Sequence, residues 1–197
     1  MKILNLYSGI GGNRTLWSDQ HEITSVELND KIANKYKLLY PNDNIIIADA
    51  HEYLLDNYKE YDFIWSSPPC QTHSRTNYFT QSIRKRPVYP SMKLYQEIIF
   101  LQNFYKGKFC VENVISYYEP LIKPTQIGRH YLWSNFNIPK IKQPKDDIGT
   151  MIKGHHNRAN KKLQEERNAV NSELGLHILN TALGIIKENK VTQNQLF

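Results

Sequence analysis

The sequence predicts a single α/β domain spanning residues 1–197, with a mostly parallel sheet and helices on both faces. Three observations carry that expectation. Short apolar runs alternate with polar-faced stretches of about ten residues through the first seventy positions, the pattern of strands joined by helical crossovers. A chain of 197 residues is long enough for one well-buried core and short for two. Aromatic residues make up 12% of the chain, ample core material and an argument against disorder as the main theme.

The elements follow in order. Lys2–Tyr7 is a short apolar strand ending in Ser8-Gly9-Ile10-Gly11-Gly12, after which Asn13–Ser18 has the character of a helix start. Glu22–Glu27 forms a second strand, and Asp30 is placed to cap a helix over Lys31–Tyr40 that Pro41-Asn42-Asp43 stops. Asn44–Ala48 is a third strand, expected to be buried on both faces. His51–Tyr58 is helical, and Tyr61–Ser66 is a fourth strand running into Pro68-Pro69. Cys70–Pro90 has no period and is expected to be a long functional loop. Helical spacing returns over Met92–Tyr105, followed by a fifth strand at Lys108–Glu112 and a late strand within Arg129–Phe136. Pro139–Lys162 is polar, basic and irregular. Leu174–Lys187 carries apolar residues on one helical face.

Composition narrows the function classes. No apolar run approaches the length of about 18 residues that a membrane span requires, and the N-terminus turns polar too early for a secretory signal. Cys70 and Cys110 are the two cysteines, so neither a disulfide framework nor a four-cysteine zinc site is available. A cytoplasmic setting is expected. Twenty-five basic residues against 19 acidic ones give a formal charge of +6, which favours a polyanionic partner. The excess gathers at Arg75, Arg84, Lys85 and Arg86, and again between Lys140 and Lys162. His155-His156 has no accompanying ligand cluster, so no metal is expected.

The strand ends carry the chemistry. A glycine turn directly after the first strand lets the backbone bend sharply and approach a ligand. Glu27 ends the second strand, where a carboxylate can accept from ribose hydroxyls, and Asp49 follows the third, where an adenine would lie. Together they indicate an adenosine-type ligand. A nicotinamide dinucleotide stays open, although no Gly-x-Gly-x-x-Gly follows the first strand. At the fourth strand end, Ser66-Ser67-Pro68-Pro69-Cys70-Gln71 presents a cysteine among polar neighbours on a stiff lead-in, whereas Cys110 in Phe109-Cys110-Val111 is core. Glu112-Asn113-Val114 ends the fifth strand. A thiolate beside a carboxylic acid suits activation of a pyrimidine: sulfur adds at carbon-6, the acid stabilises charge at N3, and carbon-5 becomes nucleophilic.

In these motifs the chain resembles the cytosine-carbon-5 DNA methyltransferases. Tyr7–Gly12, Glu27, Asp49, Pro68-Pro69-Cys70-Gln71 and Glu112-Asn113-Val114 stand in the family order, across most of the length. The resemblance implies a Rossmann-like methyltransferase sheet and S-adenosylmethionine as cofactor, lined by Tyr7, Gly9, Ile10, Gly11, Glu27, Leu28, Asp49 and Pro69. It implies Cys70 as nucleophile and Glu112 as the group at N3. Gln126–Tyr131 resembles the family's Gln-x-Arg-x-Arg segment with the second arginine kept, as Arg129, which would touch the base near O2, while Ile127 stands for the first. Arg167-Asn168-Ala169-Val170 resembles the closing motif, Arg167 replacing a glycine, with Asn168 and Val170 returning to the cofactor. Gln71, Ser74, Arg75, Arg84, Lys85 and Arg86 would approach DNA.

Between the arginine segment and the closing motif, Ser134–Glu166 offers about thirty residues, too few for a recognition domain with its own core. A reduced basic recognition loop is expected, with specificity short, relaxed or supplied by a protein partner. Three readings compete: a DNA cytosine methyltransferase that flips its base, in a bacterial or phage restriction-modification setting; a methyltransferase of RNA or free cytidine nucleotide; and a non-catalytic nucleic-acid-binding remnant. The intact Cys70 and Glu112 oppose the third, and the basic stretches favour a polymer, DNA in duplex or single-stranded form.

Overall fold

A computed structural model describes residues 1–81, 84, 86–141 and 169–186. Its centre is a seven-stranded sheet in the order β3-β2-β1-β4-β5-β7-β6. The strands are β1 (Lys2–Leu6), β2 (Glu22–Glu27), β3 (Asn44–Ile47), β4 (Phe63–Ser66), β5 (Lys108–Val114), β6 (Thr125–Ile127) and β7 (His130–Ser134). The first five are parallel. β7 lies antiparallel between β5 and β6. The helices are α1 (Asp30–Leu39), α2 (Ala50–Asn57), α3 (Arg75–Gln81), α4 (Lys93–Phe104) and α5 (Ser172–Ala182).

Alternation along each strand sends side chains to two cores. Leu4, Leu6, Ile64, Phe109 and Val111 pack against Ala50 and Leu54 of α2 and Leu94, Ile98 and Leu101 of α4. Ile3, Ile23, Phe63, Trp65 and Cys110 pack on the opposite side against Leu174, Ile178 and Leu179 of α5. Helices therefore cover both faces, as a parallel sheet requires. Pairing Leu6 with Val26 and Ser66, and Ser66 with Val111, brings the carboxyl ends of β1, β2, β4 and β5 to one edge.

Several expectations are corrected. Asn13–Ser18 is a series of tight turns rather than a helix start. Arg14 accounts for this: its guanidinium donates to the Trp17 carbonyl and to Asp19 and Asp43, drawing the chain inward. The cap of α1 is Asn29, whose side chain accepts from the Lys31 and Ile32 amides, with Asp30 the first helical residue. β3 is not buried on both faces; it is an edge strand paired with β2, and Ile47 is 56% exposed. Within Cys70–Pro90, α3 interrupts the expected loop. The Ser74 hydroxyl accepts from the Asn77 amide and the Asn77 side chain donates to the Thr72 carbonyl, so polar side chains start this helix without an apolar period. The late strand is one arm of a hairpin whose other arm, β6, carried no apolar signal; Gly128 turns it in a left-handed conformation.

Candidate active site

The strand ends surround a cavity of about 1500 Å³. On one side stands the turn after β1. Tyr7 (φ 55°) and Gly9 (φ 54°) both adopt left-handed backbone, strained for the tyrosine and free for the glycine. The Gly9 amide donates to Glu27 Oε2 at 3.0 Å and the Asn29 amide donates to Oε1 at 2.9 Å, so one carboxylate joins the turn to the start of α1. Gly12 serves by its size: a Cβ there would lie 2.5 Å from the Val170 carbonyl, where the segment before α5 returns over the turn. Arg14 and Asp43, both almost fully buried, form a bidentate pair at 2.8 and 3.0 Å behind the turn.

A buried carboxylate fastens this side together. Glu97 of α4 is fully buried and accepts from the Tyr7 hydroxyl at 2.5 Å and the Ser66 hydroxyl at 2.6 Å, and it meets His51 Nδ1 at 3.1 Å. One side chain thus ties the ends of β1 and β4 to the first turn of α2. Burial, reinforced by the Glu97 charge, pushes the Tyr7 phenol far up and keeps it a donor. The hydrogen bond to Glu97 raises the His51 pKa above its ordinary value, against the opposing effect of burial. Asp49 caps α2 by accepting from the His51 and Glu52 amides, and Lys93 Nζ lies 3.4 Å from its other oxygen. Desolvation opposes ionisation of Asp49, but those amides and Lys93 outweigh it and hold its pKa below the ordinary value.

On the other side stand Cys70 and Glu112. Cys70 follows β4 and its carbonyl accepts from the His73 and Ser74 amides, both at 3.0 Å, which bends the chain toward α3. Asn113 is buried and donates to the Pro68 carbonyl at 2.9 Å, locking the end of β5 to the proline pair before the cysteine. Glu112 is buried, with Oε1 2.7 Å from His130 Nδ1 of β7. Burial raises the Cys70 thiol above its ordinary pKa, and the Glu112 charge raises it further. The thiol is therefore protonated at rest.

The cavity wall includes Cys70, Glu112 and Arg129 together with Tyr7, Gly9, Ile10, Glu27, Leu28, Asp49, Pro69 and Val170. Gln71, Ser74 and Arg75 also line it. Gly11 does not: its Cβ position faces the Tyr36 and Tyr40 rings, because the turn rolls that residue against α1. Arg84 and Arg86 are exposed and stand off the wall. Lys85, Asn168, His155-His156 and residues 142–166 of the recognition segment lie outside the described residues. Sequence reasoning missed Glu97, His51 and His130, each an isolated polar residue in its own element with no local signal. Among the described residues, no helix is long and apolar enough to cross a membrane, and no group of three His, Cys, Asp or Glu could hold a metal ion.

The cavity has ample room for S-adenosylmethionine, and its wall carries donors and acceptors that fit it. The Ser8 hydroxyl is buried in the wall without a protein partner, and the Glu27 and Asp49 carboxylates stand at adjacent strand ends. Residues 1–119, more than half of the chain, match the family model of the C-5 cytosine-specific DNA methylases. The chain belongs to that family. Membership of that family implies S-adenosylmethionine as cofactor. Over 80 residues it is 34% identical to a tRNA (cytosine(38)-C(5))-methyltransferase of Spodoptera frugiperda, a match covering 38% of this chain and 24% of that enzyme. A solved mutant of Spodoptera frugiperda DNMT2 is 28% identical, with a TM-score of 0.39 over 57% of this chain and 35% of that one. A SAM-dependent methyltransferase from Agrobacterium tumefaciens aligns with a TM-score of 0.44 at 16% identity, over 60% of this chain and 40% of that one. The matches thus span well under half the length of these relatives.

Proposed function

We propose that this chain methylates carbon-5 of cytosine in DNA, with Cys70 as nucleophile and Glu112 as the acid at N3. The observation that supports the reading best is the meeting of Cys70 and Glu112, from adjacent strand ends, in one cavity with the glycine turn and Glu27. S-adenosylmethionine, when bound, supplies an electrophilic methyl group; Tyr7, Gly9, Ile10, Glu27, Leu28, Asp49, Pro69 and Val170 would hold it, together with Asn168, two positions before Val170 in the sequence.

Cys70 and Glu112 act on the base as a pair. The thiol proton leaves Sγ for the Glu112 carboxylate as sulfur bonds to carbon-6 of the cytosine, and Glu112 passes a proton to N3. Loss of the Glu112 charge at that moment removes one of the two effects that hold the thiol protonated. The His130 imidazole keeps the carboxyl group oriented through the bond to Oε1. Arg129 lines the same cavity, and by the family resemblance it would contact the base near O2. After methyl transfer the carbon-5 proton is lost to solvent and its electron pair re-forms the carbon-5–carbon-6 double bond. Sulfur leaves carbon-6 as thiolate, and N3 returns its proton to Glu112.

RNA is the second reading, favoured by the 34% identity to a tRNA methyltransferase. Tritiated methyl transfer measured on duplex DNA, single-stranded DNA, RNA and CMP decides between them. Label is expected in DNA and absent from CMP; label confined to RNA would overturn the DNA reading. Cys70→Ser is expected to abolish transfer, and a variant of full activity would remove the covalent mechanism.

A further inference from the structure

Beyond the cavity, a row of rings runs outward from its wall. His73, buried in the wall, lies 6.0 Å from the Tyr118 ring and bonds its hydroxyl through Nδ1 at 2.6 Å. Tyr118 meets Tyr117 at 5.2 Å, and Tyr117 meets Tyr78 at 5.7 Å with ring planes 32° apart. Tyr78 meets Phe79 at 6.1 Å. Exposure rises along the row: His73 is 1% exposed, Tyr78 61% and Phe79 75%. These contacts join two segments, the α3 region after Cys70 and the turn after β5, which are bridged at Ser74 and Ser116.

Helical spacing adds charge to the same surface. Arg75, Tyr78 and Phe79 stand at i, i+3 and i+4 of α3, so one helix face offers a guanidinium and two rings. Arg75 also lines the cavity, and Arg84 and Arg86, both exposed, follow α3 in the sequence. Exposed aromatic rings beside cations, continuous with a cavity for a base, form the arrangement that holds unpaired nucleotides: rings stack on base faces while arginines meet phosphates. An intact duplex hides its base faces in its own stack, so these rings would have no face to stack on and the arginines would meet mainly phosphate.

We propose that the row from His73 to Phe79 is a stacking ledge for unpaired nucleotides beside the target cytosine, so that the preferred substrate is a single-stranded stretch of nucleic acid. The proposal rests on the methyltransferase reading above and adds the strandedness of its substrate. It also accounts for a segment of about thirty residues where a recognition domain would otherwise read a duplex.

The test is fluorescence anisotropy with the full chain and three probes: a labelled DNA strand of about 15 nucleotides, the same sequence as RNA, and the DNA annealed to its complement. Both strands are expected to bind about tenfold more tightly than the duplex. Ring faces read bases rather than sugars, so the two strands should agree within about threefold. Tyr78→Ala and Phe79→Ala should each weaken strand binding about five- to tenfold and leave duplex binding within about twofold, while Tyr78→Phe binds as the wild type does. Duplex bound as tightly as strand, alanine variants without effect, a strong preference for one sugar, or Tyr78→Phe as weak as Tyr78→Ala would each overturn the ledge. Unfolding midpoints equal to wild type show that the variants fold. Binding needs no methyl transfer: strand binding without any transfer sinks the methyltransferase reading alone, and efficient transfer to duplex with Tyr78→Ala silent sinks the ledge alone.

Discussion

The two sides of the cavity are built differently. The side formed by β1, β2 and β3 is held from behind by buried polar groups: Arg14 with Asp43, and Glu97 with Tyr7 and His51, the same carboxylate reaching across to Ser66 of β4. The side formed by β4, β5 and β7 is held by short bonds from neighbouring strands, Asn113 to Pro68 and Glu112 to His130, and opens outward through α3 and its exposed rings. A strained turn that must present backbone to a ligand needs rigid support, because Tyr7 keeps its left-handed conformation only where its surroundings impose it. The proposed nucleophile, in a site that would admit a polymer, needs one fixed end and one accessible end.

Removing support from the first side should have the largest effect on the fold. Arg14→Ala leaves Asp43 buried without its cation and is expected to cost about 3–5 kcal/mol in urea unfolding. A loss below about 1 kcal/mol would mean that solvent reaches Asp43, and the contrast between the two sides would weaken.

Glu97→Gln acts on the same side with a smaller cost to the fold. It keeps an acceptor for Tyr7 or Ser66 but loses the charge facing His51, and cofactor affinity measured by calorimetry should fall about tenfold, a change of about 1.4 kcal/mol. The pH dependence has a definite sign. The folded-state pKa of His51 is raised, so its pairing with Glu97 stabilises the protein fully at pH values below the ordinary histidine range and is lost as pH rises through the raised value. Lys93 opposes the charge on His51 and Glu52 favours it, so both shape that transition. Thermal unfolding followed from pH 5 to 9 should show the decline in wild type and a flatter profile in Glu97→Gln; equal profiles would break the assignment to this pair.

The smallest effect belongs to the second side. Burial and the Glu112 charge together raise the Cys70 pKa, so Glu112→Gln should lower it. Alkylation of Cys70 by iodoacetamide at pH 8 is then expected to speed up about two- to fivefold while methyl transfer falls. Cys110, wholly buried in β5, should stay unmodified in both proteins and serve as the internal control. Slower alkylation of Cys70 in the variant would show that Glu112 activates the resting thiol rather than restraining it.

Local signals explain what was legible in the sequence. The glycine turn, Glu27, Asp49, Pro68-Pro69-Cys70 and Glu112-Asn113 each sit where a strand ends, and in a parallel sheet strand ends share one edge. Reading the order of elements was therefore enough to gather them. Chain order was not enough for α3, started by polar side chains, or for β6, which has three residues and one buried side chain. The run of isoleucines in β3 suggested burial, yet strand order put it at the edge, and pairing on one side alone leaves Ile47 exposed.

The sequence by itself determined the α/β class, the edge at which the site lies, the cysteine that faces the cavity and the cysteine that belongs to the core. These depend on periodicity and on residues adjacent in the chain. Tertiary structure alone decided which groups support them. Tyr7 and Glu97 are separated by 90 positions, His51 and Glu97 by 46, and Arg14 and Asp43 by 29. No local pattern marks such partners, because a buried charge is tolerable only where folding brings its counterpart within hydrogen-bond reach.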